Sequence, residues 1–148
     1  MPKIENLVDE GFRVSLIETA FFDGKFEIPH IDAPKDIVVH SGLVPFSRRQ
    51  RSCNKQDFVC FYEHDVKFRE ILTHTEDYIK ELKQYPGVIS PDCSLYIDAP
   101  LCVQIASIYL NRAVGYYLTK QEFTLSQIYD GEMRERIPMS YWEKKVAF

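Results

Sequence analysis

A chain of 148 residues that is 45% hydrophobic and 14% aromatic has enough apolar material for one domain core, which excludes disorder along its whole length. Lys+Arg 18 against Asp+Glu 22 leaves a net charge of -4, which excludes an overall basic field for nucleic acid but not a local basic patch. Met1-Pro2-Lys3-Ile4-Glu5-Asn6 has no signal layout, no apolar run is long enough to span a bilayer, and Cys53, Cys60, Cys93 and Cys102 form no CxxC pair; the expectation is a cytoplasmic protein with ordinary free thiols.

Residues 12–32 place Val14, Leu16 and Ile17 before Asp23-Gly24 and Phe26 and Ile28 after it, the layout of a β-hairpin or extended segment. Asp36-Ile37-Val38-Val39-His40 is a short β-branched run and predicts a strand, closed by Ser41-Gly42 and followed by a loop from Leu43 to Arg49. Phe58-Val59-Cys60-Phe61-Tyr62 is apolar without alternation, as in a strand covered on both faces of a parallel sheet. Beyond Asp65, the residues Phe68, Ile71, Leu72, Ile79 and Leu82 recur at helical spacing, with a break and new cap expected at Thr75 and a stop at Pro86-Gly87. Val88-Ile89-Ser90 predicts a second short strand that ends at Pro91. Asp98-Ala99-Pro100 then opens a long helix to about Leu118, with Leu101, Ile105, Ile108, Tyr109 and Ala113 on one face.

Strand, helix, strand, helix in that order predicts an α/β fold: a partial parallel sheet with covering helices, the front portion of a larger, open or barrel-like domain. The expected division is an extended or hairpin segment over 1–35, an α/β core over 36–120, and a tail over 121–148. Where a further buried strand is expected after the long helix, Gln121 to Phe148 is polar and weakly periodic.

Three stretches, Leu43-Val44-Pro45-Phe46-Ser47-Arg48-Arg49, then Phe61-Tyr62 with Asp65, then Gly87 through Leu101, resemble the phage and mobile-element family catalogued as domain of unknown function 4417. The long helix, with Gln104-Ile105 and Asn111-Arg112-Ala113-Val114-Gly115-Tyr116-Tyr117-Leu118, is similar to the same family, so the likeness covers residues 36–120. The resemblance brings no known activity. It does imply a strand and loop of the type Gly-Ile-Tyr-Val-Ile-Pro-Asn-Ile-Arg-Trp-Gly-Asp-Glu-Arg-Thr after the helix, and this chain lacks it. Codons can be chosen for Gln121 through Arg136 that, read from their third base, translate to that segment in full. The resemblance therefore implies a frameshift near Lys120, with 121–148 a frameshifted remnant.

Ligands of parallel sheets gather at the carboxyl ends of the strands, where loops and helix N-termini converge. Asp65 and Asp92 fall at such ends and are the candidate catalytic carboxylates; with His64, Asp98, Arg48 and Arg49 they would form a carboxylate-rich cleft able to hold a metal, orient a nucleophile or pair with phosphate. Arg48, Arg49, Tyr96 and Asp98 are the candidate ligand-binding residues, two guanidinium forks, a stacking ring and a further acid. Each also has an ordinary reading: helix caps for Asp65 and Asp98, a solvated loop for the arginines, a half-buried core edge for Tyr96. His64 has no second histidine at helical spacing, Cys93 has no base in sight, and no ligand spacing for a metal, phosphate loop or nucleophile elbow is present.

No cofactor is implied. The expected function is an inactive front fragment of a nucleotide- or nucleic-acid-processing enzyme of phage or mobile-element kind, shorn of the Arg-Trp-Gly-Asp cluster. The alternative is a non-catalytic module that engages a partner, or a second copy of itself, through an exposed sheet edge.

Overall fold

The computed structural model of the protein describes residues 11–32, 42–121 and 128–129. Phe22–Asp23 (β1) and Ile28–Pro29 (β2) pair antiparallel around a turn in which Gly24 takes φ 69°, a left-handed conformation that glycine adopts without steric cost. The hairpin forms where expected, but Val14–Ile17 upstream is a 3-10 turn rather than extended chain. Leu16, Ile17, Ala20 and Ile31 are buried in the main core, so this segment is part of the domain's packing.

Leu43–Pro45 (β3), Phe58–Cys60 (β4), Val88–Ile89 (β5) and Ile128–Tyr129 (β6) form one sheet in that order, every pair parallel. The expected α/β class is what forms, and among the described residues the sheet is open, not a barrel. Register aligns Val44 with Val59 and Val59 with Val88. All three valines join the core that the helices complete, while Phe58, Cys60 and Ile89 alternate onto the other face in a second buried cluster. Burial on both faces is why Phe58-Val59-Cys60 shows no alternation.

Two expectations are corrected here. The strand after the hairpin lies at Leu43–Pro45, read above as loop; the run at 36–40 falls outside the described residues. Only Val44 of the three is buried, and Pro45, which cannot donate to a ladder, sits at the strand end, so side chains alone carry no strand pattern. Likewise the edge of β5 is not bare: Val88 pairs with Ile128 and Ile89 with Tyr129. Pairing of that kind uses backbone groups, which a periodicity count of side chains does not register.

Between β4 and β5 run a 3-10 turn over Asp65–Lys67, then Arg69–Thr73 (α1) and Thr75–Leu82 (α2). The break is where the spacing predicts it, but His74 holds the cap position and Thr75 does not cap; its hydroxyl donates back to the Ile71 carbonyl. Leu101–Lys120 (α3) connects β5 to β6. Its first turns are half wet, with Cys102, Val103 and Ala106 exposed, whereas Asn111 through Tyr116 are all buried. Gly115 permits that close packing: a Cβ there would stand 2.8 Å from Ile31 Cδ1 and 3.3 Å from Ser90 Cβ. No helix among the described residues is long and apolar enough to cross a membrane.

Candidate functional site

Because β3, β4 and β5 are parallel, the chain leaves all three at one edge, and the segments that follow them meet there. Ser47, just beyond β3, donates its backbone N–H (2.9 Å) and its hydroxyl (2.5 Å) to the two carboxylate oxygens of Glu63, beyond β4. Asp65 repeats the device one strand over. Its carboxylate accepts the backbone N–H of Ser94, at 3.1 Å and 3.2 Å to the two oxygens, and the Ser94 hydroxyl at 3.1 Å. Each acid thus ties its own loop to the loop of the neighbouring strand.

Asp65 therefore does not cap a helix; the 3-10 turn that begins with it has no side-chain cap bond. Asp65 and Asp92 share the edge, with Asp92 half-buried two residues before Ser94. Between them Cys93 is buried, its N–H donating to Asn111 Oδ1 of α3 at 2.8 Å. Burial first, then the negative charges of Asp65 and Asp92, push the Cys93 thiol up to about 12. It stays protonated near neutrality, which removes it as a nucleophile.

The other sequence-derived candidates do not join this group. Arg49 turns to α2, where its Nε and a terminal nitrogen donate to the carboxylate of Glu81 at 2.7 Å and 3.3 Å, while its other terminal nitrogen donates to the Phe46 carbonyl at 2.9 Å. Arg48 is exposed. Tyr96 is 62% exposed and Asp98 is exposed, and Pro100 rather than Asp98 occupies the cap position of α3, with no side-chain cap bond there. Gln104 draws that loop to the helix through a 2.8 Å bond from Nε2 to the Ala99 carbonyl.

Ser47, Glu63, Ser94 and Asn111 hold the edge together and are absent from the sequence-derived set. Asn111 did leave a signal, a polar residue on the face buried by a long helix. The serines left none, since an exposed hydroxyl that meets an acid from another strand looks like any loop serine. Chemically the edge offers carboxylate acceptors and hydroxyls over a floor of buried apolar residues. Among the described residues no group of three or more His, Cys, Asp or Glu is set to hold a metal ion.

A sequence model of the family described as Domain of unknown function (DUF4417) matches residues 20–130. The chain belongs to this family. The DUF4417 match begins before the hairpin and runs through β6, so it takes in every described strand. Searches of curated proteins and of solved structures found no match.

Proposed function

We propose that this DUF4417 chain derives from a nucleotide- or nucleic-acid-processing domain whose ligand sits at the carboxyl edge of the parallel sheet, between the loops that follow β4 and β5. The observation that carries this reading is the bond of Asp65 to Ser94, which draws Asp65 and Asp92 to one place. Asp65 and Asp92 are the proposed catalytic carboxylates, with Tyr96 and Asp98 on the rim; Arg48 follows Ser47 beyond the outgoing end of β3, and Arg49 is engaged with Glu81. That position is where open α/β sheets ordinarily take their ligands.

The proposed origin is a phage or mobile element and the proposed location cytoplasmic. The support for a frame change near Lys120 is the alternative translation that suitable codons for residues 121–136 allow, and its consequence is a chain inactive for want of the Arg-Trp-Gly-Asp cluster. The DNA around codon 120 tests this directly. A base sequence whose shifted frame fails to encode the family segment overturns it.

Ligand-dependent melting tests the site. Nucleotides or short oligonucleotides, with and without magnesium, are expected to raise Tm for the native chain and not for Asp92→Asn. A ligand present at a hundredfold its Kd stabilises by about 2.7 kcal/mol, a shift of several degrees in a chain of this size. No shift with any of them, together with concentration-dependent assembly in light scattering, would replace this reading with the binding-module alternative.

A further inference from the structure

From Phe46 to Asp57 the connection between β3 and β4 carries Arg48, Arg49, Arg51 and Lys55 against one acid, Asp57, whose carboxylate accepts the Ser52 hydroxyl at 2.9 Å. Phe46–Arg51 is a 3-10 helix, whose three residues per turn put Phe46 and Arg49 on one face and Arg48 and Arg51 on another. The first face turns to α2. Phe46 is buried with its ring edge-on to Tyr78, and the Arg49 guanidinium lies 4.3 Å over the Phe46 ring while gripping Glu81. Gln50 also donates to Glu81, at 3.0 Å, the Tyr85 hydroxyl donates to the Arg49 carbonyl at 3.0 Å, and the Lys55 ammonium reaches Gln84.

These bonds lay the connection along the end of α2 and the residues just after it. Lys80 neighbours the gripped Glu81. Arg49 neutralises Glu81, so Arg48, Arg51, Lys55 and Lys80 form a ridge of positive charge on a chain whose net charge is -4. Arg48, Arg51 and Lys80 are exposed. Among the described residues, none of the large exposed hydrophobics lies on this surface.

We propose that this ridge is a docking track for the phosphodiester backbone of a nucleic acid, bound without regard to base sequence. A protein partner would need apolar anchors, which are missing here. A polyanion needs only cations, and arginine forks accept phosphate oxygens two at a time. The track rests on the connection between β3 and β4 and on the end of α2, not on Asp65 or Asp92, and stands whether or not those carboxylates bind a ligand.

Fluorescence anisotropy of the whole chain with labelled single-stranded and duplex DNA tests this, with polyglutamate as competitor. Binding is expected at low salt, weakening with a log–log salt slope of about -3 to -4 on duplex. Arg48→Gln with Arg51→Gln is expected to weaken binding about tenfold and to flatten the slope by about 2. Neither arginine makes an ion pair among the described residues, so the double variant keeps the fold, which circular dichroism verifies. Lys67→Gln with Arg69→Gln, off the ridge, is expected to leave binding and its salt slope unchanged, and the Arg48→Gln, Arg51→Gln chain is expected to keep any mononucleotide stabilisation of the native chain, which separates this inference from the carboxylate site. The single-strand and duplex arms tell which nucleic acid the track prefers. Absence of binding at low salt, an equal loss in the off-ridge variant, or competition by polyglutamate as strong as by unlabelled DNA would overturn the proposal.

Discussion

A carboxylate between a strand and a helix ordinarily serves the first N–H groups of that helix. Asp65 reaches sideways to Ser94 instead, and its replacement should loosen two loops rather than fray one helix. Asp65→Ala is expected to cost about 1 kcal/mol in denaturant melts, since the Ser94 groups it frees are exposed and regain water. Thiol reactivity should divide cleanly. Cys53 and Cys102 are exposed, whereas Cys60 and Cys93 are buried with thiols pushed up, Cys93 to about 12. In the native protein at neutral pH an aromatic disulfide reagent is expected to titrate two thiols quickly and the other two only on unfolding; rapid modification of Cys93 would contradict the burial described. His30 supplies the pH dependence. Its Nδ1 lies 2.6 Å from Asp23 Oδ2 and its Nε2 3.0 Å from Asp32 Oδ1. The hydrogen bond to Asp23 chiefly, opposed by some burial, holds its pKa above the usual 6.5. A raised folded pKa means that the stabilisation is complete below about 6.5 and lost as pH rises through the folded value. The stability gap between the native chain and His30→Gln should therefore narrow from pH 5.5 to pH 9; a gap that widens would show that the imidazolium is not what the two acids hold.

At the level of elements, α3 is held by a close approach at Gly115. Valine there must displace Ile31 or Ser90 and is expected to destabilise by about 2 kcal/mol, read in the same melts. A Gly115→Val chain as stable as the native one would mean that the helix stands off from β5. The long helix, the hairpin, β4 and β5 were legible because each carries an unambiguous side-chain pattern: a helical repeat with its proline start, a Gly turn, an apolar run. β3 and β6 were not. Val44 is a single inward residue between an exposed leucine and a proline, and β6 is two residues defined by backbone pairing. The hydroxyl of Thr75, read as a cap, went to the preceding turn because the alternative acceptor, the Ile71 carbonyl, lies four residues back on the same side.

For the whole molecule, parallel order has one consequence that matters for function: three successive strands deliver their outgoing loops to one edge. The sequence made Asp65 and Asp92 visible as acids at strand ends, and strand direction put them together. It could not show Ser47, Glu63, Ser94 or Asn111, whose partners lie on other strands or on α3 and are brought near only by folding. The pairing of Arg49 with Glu81 was hidden for a similar reason, Glu81 being on α2. The claim that the carboxyl edge is the ligand site is tested most directly by a two-dimensional amide NMR spectrum of the labelled chain during titration with a mononucleotide and magnesium. A mononucleotide is too short to use the basic ridge, so the two sites separate. The account predicts shifts at the amides of residues 62–66 and 92–96, with the Ser94 N–H among the largest; a spectrum that does not move, or that moves only at residues 48–55 and 80–84, would contradict it.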